Sequence, residues 1–226
     1  MIISTSHGFI FVHVPKTAGW SMMDTLQPYS RPAERTVLRS ISRRMPFRES
    51  PENAHFRVHE PASSMIAKLG RPVWDRFFTF AVVRNPFDHA VSHYEYLKQF
   101  RIAAIRRKFA KLSFSDYLDD RNGPIFWNHT LFVRMPDQSH FVIDGDGKIA
   151  VRRLVRFERL SEEWPNLIDA LGIPATKLLY VNRTKAKSDR RPYASYYTEE
   201  TVQKVRRLYA RDFDLLGYSR DLPGFA

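Results

Sequence analysis

The chain has 226 residues, of which 36 are Lys or Arg and 24 are Asp or Glu, for a formal net charge of +12. A hydrophobic fraction of 43% with 14% aromatics excludes a disordered polycation, so the surplus charge belongs on the surface of a folded body; the length allows one large domain or two small ones, and the lack of any repeat or domain-sized break in composition favours a single domain over residues 1–226. The absence of cysteine removes disulfides, thiolate metal sites and a cysteine nucleophile.

The first readable element is FIFVHV at 9–14, apolar, rich in β-formers and closed by Pro15. Lys16-Thr17-Ala18-Gly19 and then SMMDTL follow, which predicts strand, tight loop and helix. Residues 28–52 are poorly patterned and carry Arg31, Arg35, Arg39 and Arg43 at every fourth position, a basic stripe if helical and otherwise a solvated segment. PASSMIAKL at 61–69 predicts a short helix with proline in its first turn and Gly70 as its stop. FFTFAVV at 77–83 is a second buried strand, followed by Arg84-Asn85-Pro86 and the helical pattern FDHAVSHYEYLKQF. RIAAIRRKFAKL is basic and amphipathic, and Ser113 with Asp116 forms a capping box for the helix SDYLDD. SHFVID and KIAVRRLVRF flank Gly145-Asp146-Gly147, whose turn chemistry predicts a hairpin. Ser161 with Glu162 and Glu163 opens a helix that Gly172 ends, and Thr198 caps a last long helix, TEETVQKVRRLYARDF. Unbroken apolar strands between helices predict an α/β domain with a parallel sheet covered by helices. No run of 18 apolar residues occurs, so a cytoplasmic protein without a transmembrane segment is expected; its oligomeric state stays open.

Two loops carry the chemistry. A lysine, a threonine and a glycine between a buried strand and a helix N-terminus make an anion site, because unbonded N–H groups and the helix dipole converge there. Lys16 adds a full charge, and Thr17 and Ser21 add hydroxyls; the alternative is an exposed lysine and a turn glycine. The P-loop spacing G-x-x-x-x-G-K-[ST] is absent, which disfavours a standard ATPase. In the second loop Arg84 follows a strand directly and Ser92 lies about two helical turns further on. Arginine suits phosphate through its planar fork. The alternative there is an ordinary pair between Arg84 and Asp88, with Ser92 merely packed.

FIFVHVPKTAGWS at 9–21 resembles the 5′-phosphosulfate loop of sulfotransferases, and AVVRNPFDHAVSHY at 81–94 resembles their 3′-phosphate motif. The similarity is to the bacterial, carbohydrate-type branch, whose enzymes use 3′-phosphoadenosine 5′-phosphosulfate (PAPS). It extends over HEPASSMIAKLG, DGDGKIAVRRLVRFERL and NRTKAKSDRRPYASYYTEE, which is nearly the whole chain. The resemblance implies a P-loop-like three-layer fold, a central parallel sheet flanked by helices. It implies that Lys16 meets the 5′-phosphosulfate bridge, with Thr17, Ala18, Gly19, Trp20 and Ser21 around it, and that Arg84 and Ser92 grip the 3′-phosphate. Trp20 departs from the small hydroxyl residue usual at its position, so a side-chain phosphate contact is missing or replaced by stacking, and Arg152 stands where an acidic residue is common. Lys185, Arg190 and Arg191 fall where such enzymes place a nucleotide-covering loop. His59, just before the PASSMIAKL helix, matches the family's histidine, with His55 as its nearest rival for the general base.

In-line sulfuryl transfer needs a positioned acceptor hydroxyl, charge stabilisation on the leaving oxygen and a base that titrates near neutrality. The expected activity is therefore transfer from PAPS to a hydroxyl of a glycan or glycolipid, without a metal. Two rivals stand beside it. A nucleotide kinase of related fold lacks both the standard P-loop and a strand-end aspartate for magnesium. A nucleic-acid-binding module has only the basic stretches in its favour. A scaffold that binds the nucleotide without turnover is a third reading, carried by Trp20.

Overall fold

The computed structural model describes residues 1–30, 47–122, 127–128, 131–178 and 191–224. The arginine stripe from Arg31 to Arg43, Lys185 and Arg190 lie outside the described residues. The described chain forms a mixed α/β structure with a four-stranded, mostly parallel sheet flanked by helices. It divides into two compact units: Met1–Val83 with Gln138–Arg183, and Arg84–Asp137 with Thr184–Ala226.

The first unit holds the sheet. Strands β1 (Ile2–Ser4), β2 (Phe9–Val12), β3 (Phe78–Val83) and β6 (Arg153–Arg156) lie in that order; β1 runs antiparallel to β2, while β2, β3 and β6 are parallel. Every residue of β2 is buried, which is why its sequence is continuously apolar rather than alternating. Phe9, Phe11, Phe80, Val82 and Val155 pack with Met22 and Leu26 of helix α1 (Gly19–Leu26) and with Leu160, Trp164, Leu167, Ile168 and Leu171 of helix α8 (Leu160–Leu171). Gly172, at φ 62, ends α8 in the left-handed conformation that glycine adopts without steric cost. Helix α2 (Ala62–Leu69) starts after Pro61, ends at Gly70 and is followed by the single turn α3 (Arg71–Trp74).

The predicted hairpin around Gly145-Asp146-Gly147 is reduced to a tight turn closed by one antiparallel bridge, without two paired strands. Residues 139–142 are the short helix α7 (Ser139–Val142), and the flanking segments share one antiparallel bridge, Ile143 to Ile149. Local turn chemistry does fold the tip, with Asp144 accepting from the amides of Asp146 and Lys148. Beyond it the chain pairs with the interior strand: Arg152 donates to the carbonyl of Thr79, and β6 adds parallel to β3, so the ladder available from the sheet outcompetes the local one.

Among its described residues the second unit carries helices and the two-residue strands β4 (Trp127–Asn128) and β5 (Leu131–Phe132). Helix α4 (Pro86–Leu97) packs against α5 (Ala103–Lys111), α6 (Phe114–Arg121) and α9 (Glu199–Leu208). The Ser113 capping box is present, its hydroxyl accepting from the Asp116 amide at 3.1 Å while Asp116 accepts from the Ser113 amide at 3.0 Å. Thr198 caps α9 as expected, but the last long helix breaks at Tyr209, whose φ of −112 and ψ of 22 separate α9 from α10 (Ala210–Leu216). Tyr209 is fully buried, with the Arg121 guanidinium over its ring at 4.8 Å, so packing sets the break where the sequence pattern runs on.

Phe80 is fully buried at the centre of the first core, so Phe80→Ala should cost about 3–5 kcal/mol. Loss of the Ser113 hydroxyl in Ser113→Ala should cost only about 1 kcal/mol. Urea denaturation midpoints of the two variants check this order, and an equal shift would contradict it.

Candidate active site

The chain leaves β2 through Val14 and Pro15 and turns sharply into α1. Both Lys16 (φ 65) and Ala18 (φ 63) take the left-handed conformation, unusual for residues with a Cβ. Thr17 is fully buried, and its hydroxyl donates to the carbonyl of Val14 at 2.9 Å, pinning the turn from inside. Lys16 is half-buried and Ser21 buried. No side chain caps α1 at Ala18, so the first amides of the helix are left for a ligand or solvent. Gly19 has a specific reason to be glycine: a Cβ there would stand 1.7 Å from Nε2 of His13.

His13, the residue that follows β2, is a centre of the site. Its ring is 1% exposed, lies 4.1 Å from the His59 ring between centroids, and meets Trp20 edge to face at 6.0 Å. Its Nδ1 is buried with no hydrogen-bond partner. Burial first, then the proximity of His59, hold its pKa well below the ordinary histidine value, so the ring is neutral. His59 is 7% exposed, and its Nδ1 donates to the backbone carbonyl of His13 at 3.0 Å. A carbonyl only accepts, so the proton of neutral His59 sits on Nδ1 and Nε2 carries the lone pair. His55 instead directs Nδ1 to the carbonyl of Asn53 at 2.6 Å, within its own turn. The segment bearing both histidines is tied down by Lys68 of α2, which pairs with Glu49 at 3.0 Å and donates to the His55 carbonyl at 3.3 Å. The structure therefore brings His59, and not His55, to the loop after β2.

The second unit carries a cleft of about 270 Å³ lined by Arg84, Asp88, Val91, Ser92, Glu95, Arg191, Tyr193 and Tyr196. Local chemistry positions its first members. Asn85 caps α4 by accepting from the Phe87 amide at 3.0 Å, Pro86 occupies the first helical position, and Asp88 complements the helix dipole in the first turn. Arg84 is held by Asp88 through two bonds, Nε to Oδ2 at 2.6 Å and Nη2 to Oδ1 at 2.8 Å. The i,i+4 pair is thus formed, and the same guanidinium also faces the cleft. Arg191 lies over the Tyr196 ring at 4.0 Å, and the Tyr196 hydroxyl donates to Glu95 at 3.3 Å. Three of the residues expected from sequence, Arg84, Ser92 and Arg191, meet in one cleft. Tyr193 and Tyr196 were missed, although the aromatic run RPYASYY beside Arg191 carried the signal. Among the described residues no cluster of His, Asp and Glu could hold a metal ion, and no helix is long and apolar enough to cross a membrane.

The neutral state of His13 has a pH signature. Its native pKa is depressed while the unfolded chain protonates near 6.5, so its contribution is present above about pH 6.5 and is lost as pH falls below that value. His13→Phe should flatten the decline of unfolding free energy between pH 6.5 and 5 by up to one proton, about 1.4 kcal/mol per pH unit. Urea titrations across that range read the slope, and an unchanged slope would count against a neutral His13.

Comparison with known proteins gives one finding. The model of the sulfotransferase family matches residues 1–219; no curated protein and no solved structure matches the chain. The match runs from the first strand to beyond the last helix and takes in the Lys16 loop, His59 and the Arg84 cleft, and by it this chain belongs to the sulfotransferase family.

Proposed function

We propose that this sulfotransferase draws its sulfuryl group from PAPS and passes it to a carbohydrate hydroxyl, with His59 as general base, and that residues 1–226 work as one sulfotransferase domain. The observation that carries the choice of donor is the gathering of Arg84, Ser92 and Arg191 around one cleft with two tyrosine faces. That donor set fits a phosphate on a nucleoside: two guanidinium groups and a hydroxyl for the anion, aromatic surface for the rest. The family resemblance assigns the phosphosulfate end to the loop after β2, where an uncapped helix N-terminus and the Lys16 ammonium both favour an anion. Lys185 and Arg190 belong to the same reading through the family resemblance alone.

In this reading the residues divide the work. Backbone amides from Ala18 to Ser21 and the Lys16 ammonium hold the phosphosulfate end, and Lys16 meets the charge that grows on the leaving oxygen as the bond to sulfur breaks. His59 takes the acceptor's proton at Nε2, because Nδ1 already donates to the His13 carbonyl. His13 stays neutral beside it, so a proton arriving on His59 meets no second charge from that ring. Arg84, steadied by Asp88, and Ser92 bind the 3′-phosphate equally before and during transfer, which makes them binding rather than rate-enhancing groups.

Two measurements test this. The desulfated product nucleotide, 3′-phosphoadenosine 5′-phosphate (PAP), should raise the melting temperature well above the effect of ATP, the stabilisation reaching about 2.7 kcal/mol at a hundredfold excess over Kd; equal shifts with ATP, AMP and PAP would sink the donor assignment. Among variants, Arg84→Ala should weaken PAP binding, Lys16→Ala should also lower kcat, and His59→Ala should keep PAP affinity while losing about 10²- to 10⁴-fold in turnover. A folded His59→Ala enzyme with near-native kcat removes His59 from the mechanism.

A further inference from the structure

We propose that the indole of Trp20 is the acceptor platform of the enzyme, a one-sided stacking face on which a pyranose ring of the acceptor rests while one of its hydroxyls reaches His59. This rests on the reading of His59 as the base and adds a specificity-determining residue to it.

Trp20 is the second residue of α1, so its backbone belongs to the anion loop while its side chain leaves that loop. The indole is 53% exposed, an unusual state for the largest side chain, and it stands beside the most buried part of the site rather than on a remote face. Its neighbour is the His13 ring, at 6.0 Å and nearly perpendicular, and His13 in turn lies 4.1 Å from His59. The His13 ring thus touches both, the exposed indole of Trp20 and the imidazole of His59. His13 is buried, and Gly19, which could not carry a Cβ past the His13 ring, lets the helix that bears Trp20 lie directly against it.

The chemistry of that surface selects its occupant. The nucleotide's anionic end requires amides and a cation, which the loop backbone and Lys16 supply, and the Arg84 cleft brings its own aromatic faces in Tyr193 and Tyr196. An indole beside the base is left for the molecule whose hydroxyl the base deprotonates. A planar phenol gains most from an enclosed apolar slot, whereas an open, one-sided indole suits a ring that is apolar on its C–H face and polar around its edge. A pyranose has that shape. Stacking on Trp20 leaves the edge hydroxyls directed outward from the ring, the orientation in which one of them can donate to Nε2 of His59.

The test uses indole N–H resonances of the 15N-labelled protein, with Trp20 assigned from Trp20→Phe, titrated with trisaccharides of glucose, galactose, N-acetylglucosamine and a uronic acid in the presence of PAP. At least one trisaccharide should shift the Trp20 resonance beyond the shift that PAP alone produces through the loop amides. Trp20→Ala should weaken that trisaccharide at least tenfold while PAP affinity stays within threefold, and Trp20→Phe should retain most of the sugar affinity. No shift with any of the four sugars would overturn the proposal; so would a tenfold loss of PAP affinity in Trp20→Ala, which would make the indole a nucleotide platform. A shift with p-nitrophenol but none with the sugars would equally overturn it. Failure of the His59 assignment is separable: it would show as native turnover in His59→Ala with trisaccharide binding intact, a result that leaves the Trp20 titration unaffected.

Discussion

The site depends on one close approach, the backbone of Gly19 against the imidazole of His13. With room for no Cβ at that point, the first turn of α1 can lie directly on the ring that follows the buried strand β2. Reaching this position requires Lys16 and Ala18 to take left-handed backbone angles, each at a cost on the order of 1 kcal/mol or more. The cost is offset by burying Phe9, Phe11, Met22 and Leu26 in one core and by the inward bond from Thr17 to Val14. Strain is thus concentrated in the loop that the family resemblance assigns to the phosphosulfate, and rigid elements on both sides hold it there.

The second strand-to-helix junction is built by ordinary local chemistry. Asn85 caps, Pro86 starts the helix and Asp88 sits in its first turn, so nothing in the backbone there needs an unusual conformation. The work falls on side chains instead. Asp88 fixes the Arg84 guanidinium through two short bonds at a site where both side chains are largely shielded from solvent, which limits the rotamer freedom that a bound phosphate would otherwise have to remove. One fold, two parallel strands, and two routes to an anion-facing loop: the first by backbone geometry, the second by a pre-set ion pair.

Legibility followed the range of the interactions. The strands at Phe9–Val12 and Phe78–Val83, the helices after each, the Ser113 and Thr198 caps and the Gly172 stop all rest on neighbours within a few residues, and each was readable from the sequence. The hairpin expected around Gly147 and the unbroken last helix also follow from local patterns; distant partners shorten the first to a turn with one bridge and break the second. The Arg153–Arg156 segment finds a parallel ladder on β3, and the backbone at Tyr209 turns where its ring is buried against Arg121.

The sequence by itself determined the α/β class, the two loops with their cations and the gathering of basic and hydroxyl residues near them, because residue type and spacing of a few positions suffice for those features. Only the tertiary structure decided which histidine meets the loop, since His59 is placed by the carbonyl of His13, 46 residues away, while His55 closes a turn of its own. It also decided that Arg191 joins Arg84 and Ser92, that His13 is neutral and central, and that Trp20 is turned outward. Each of these is a contact or an exposure set by chain segments far apart in sequence, and no local pattern of residues encodes how such segments meet.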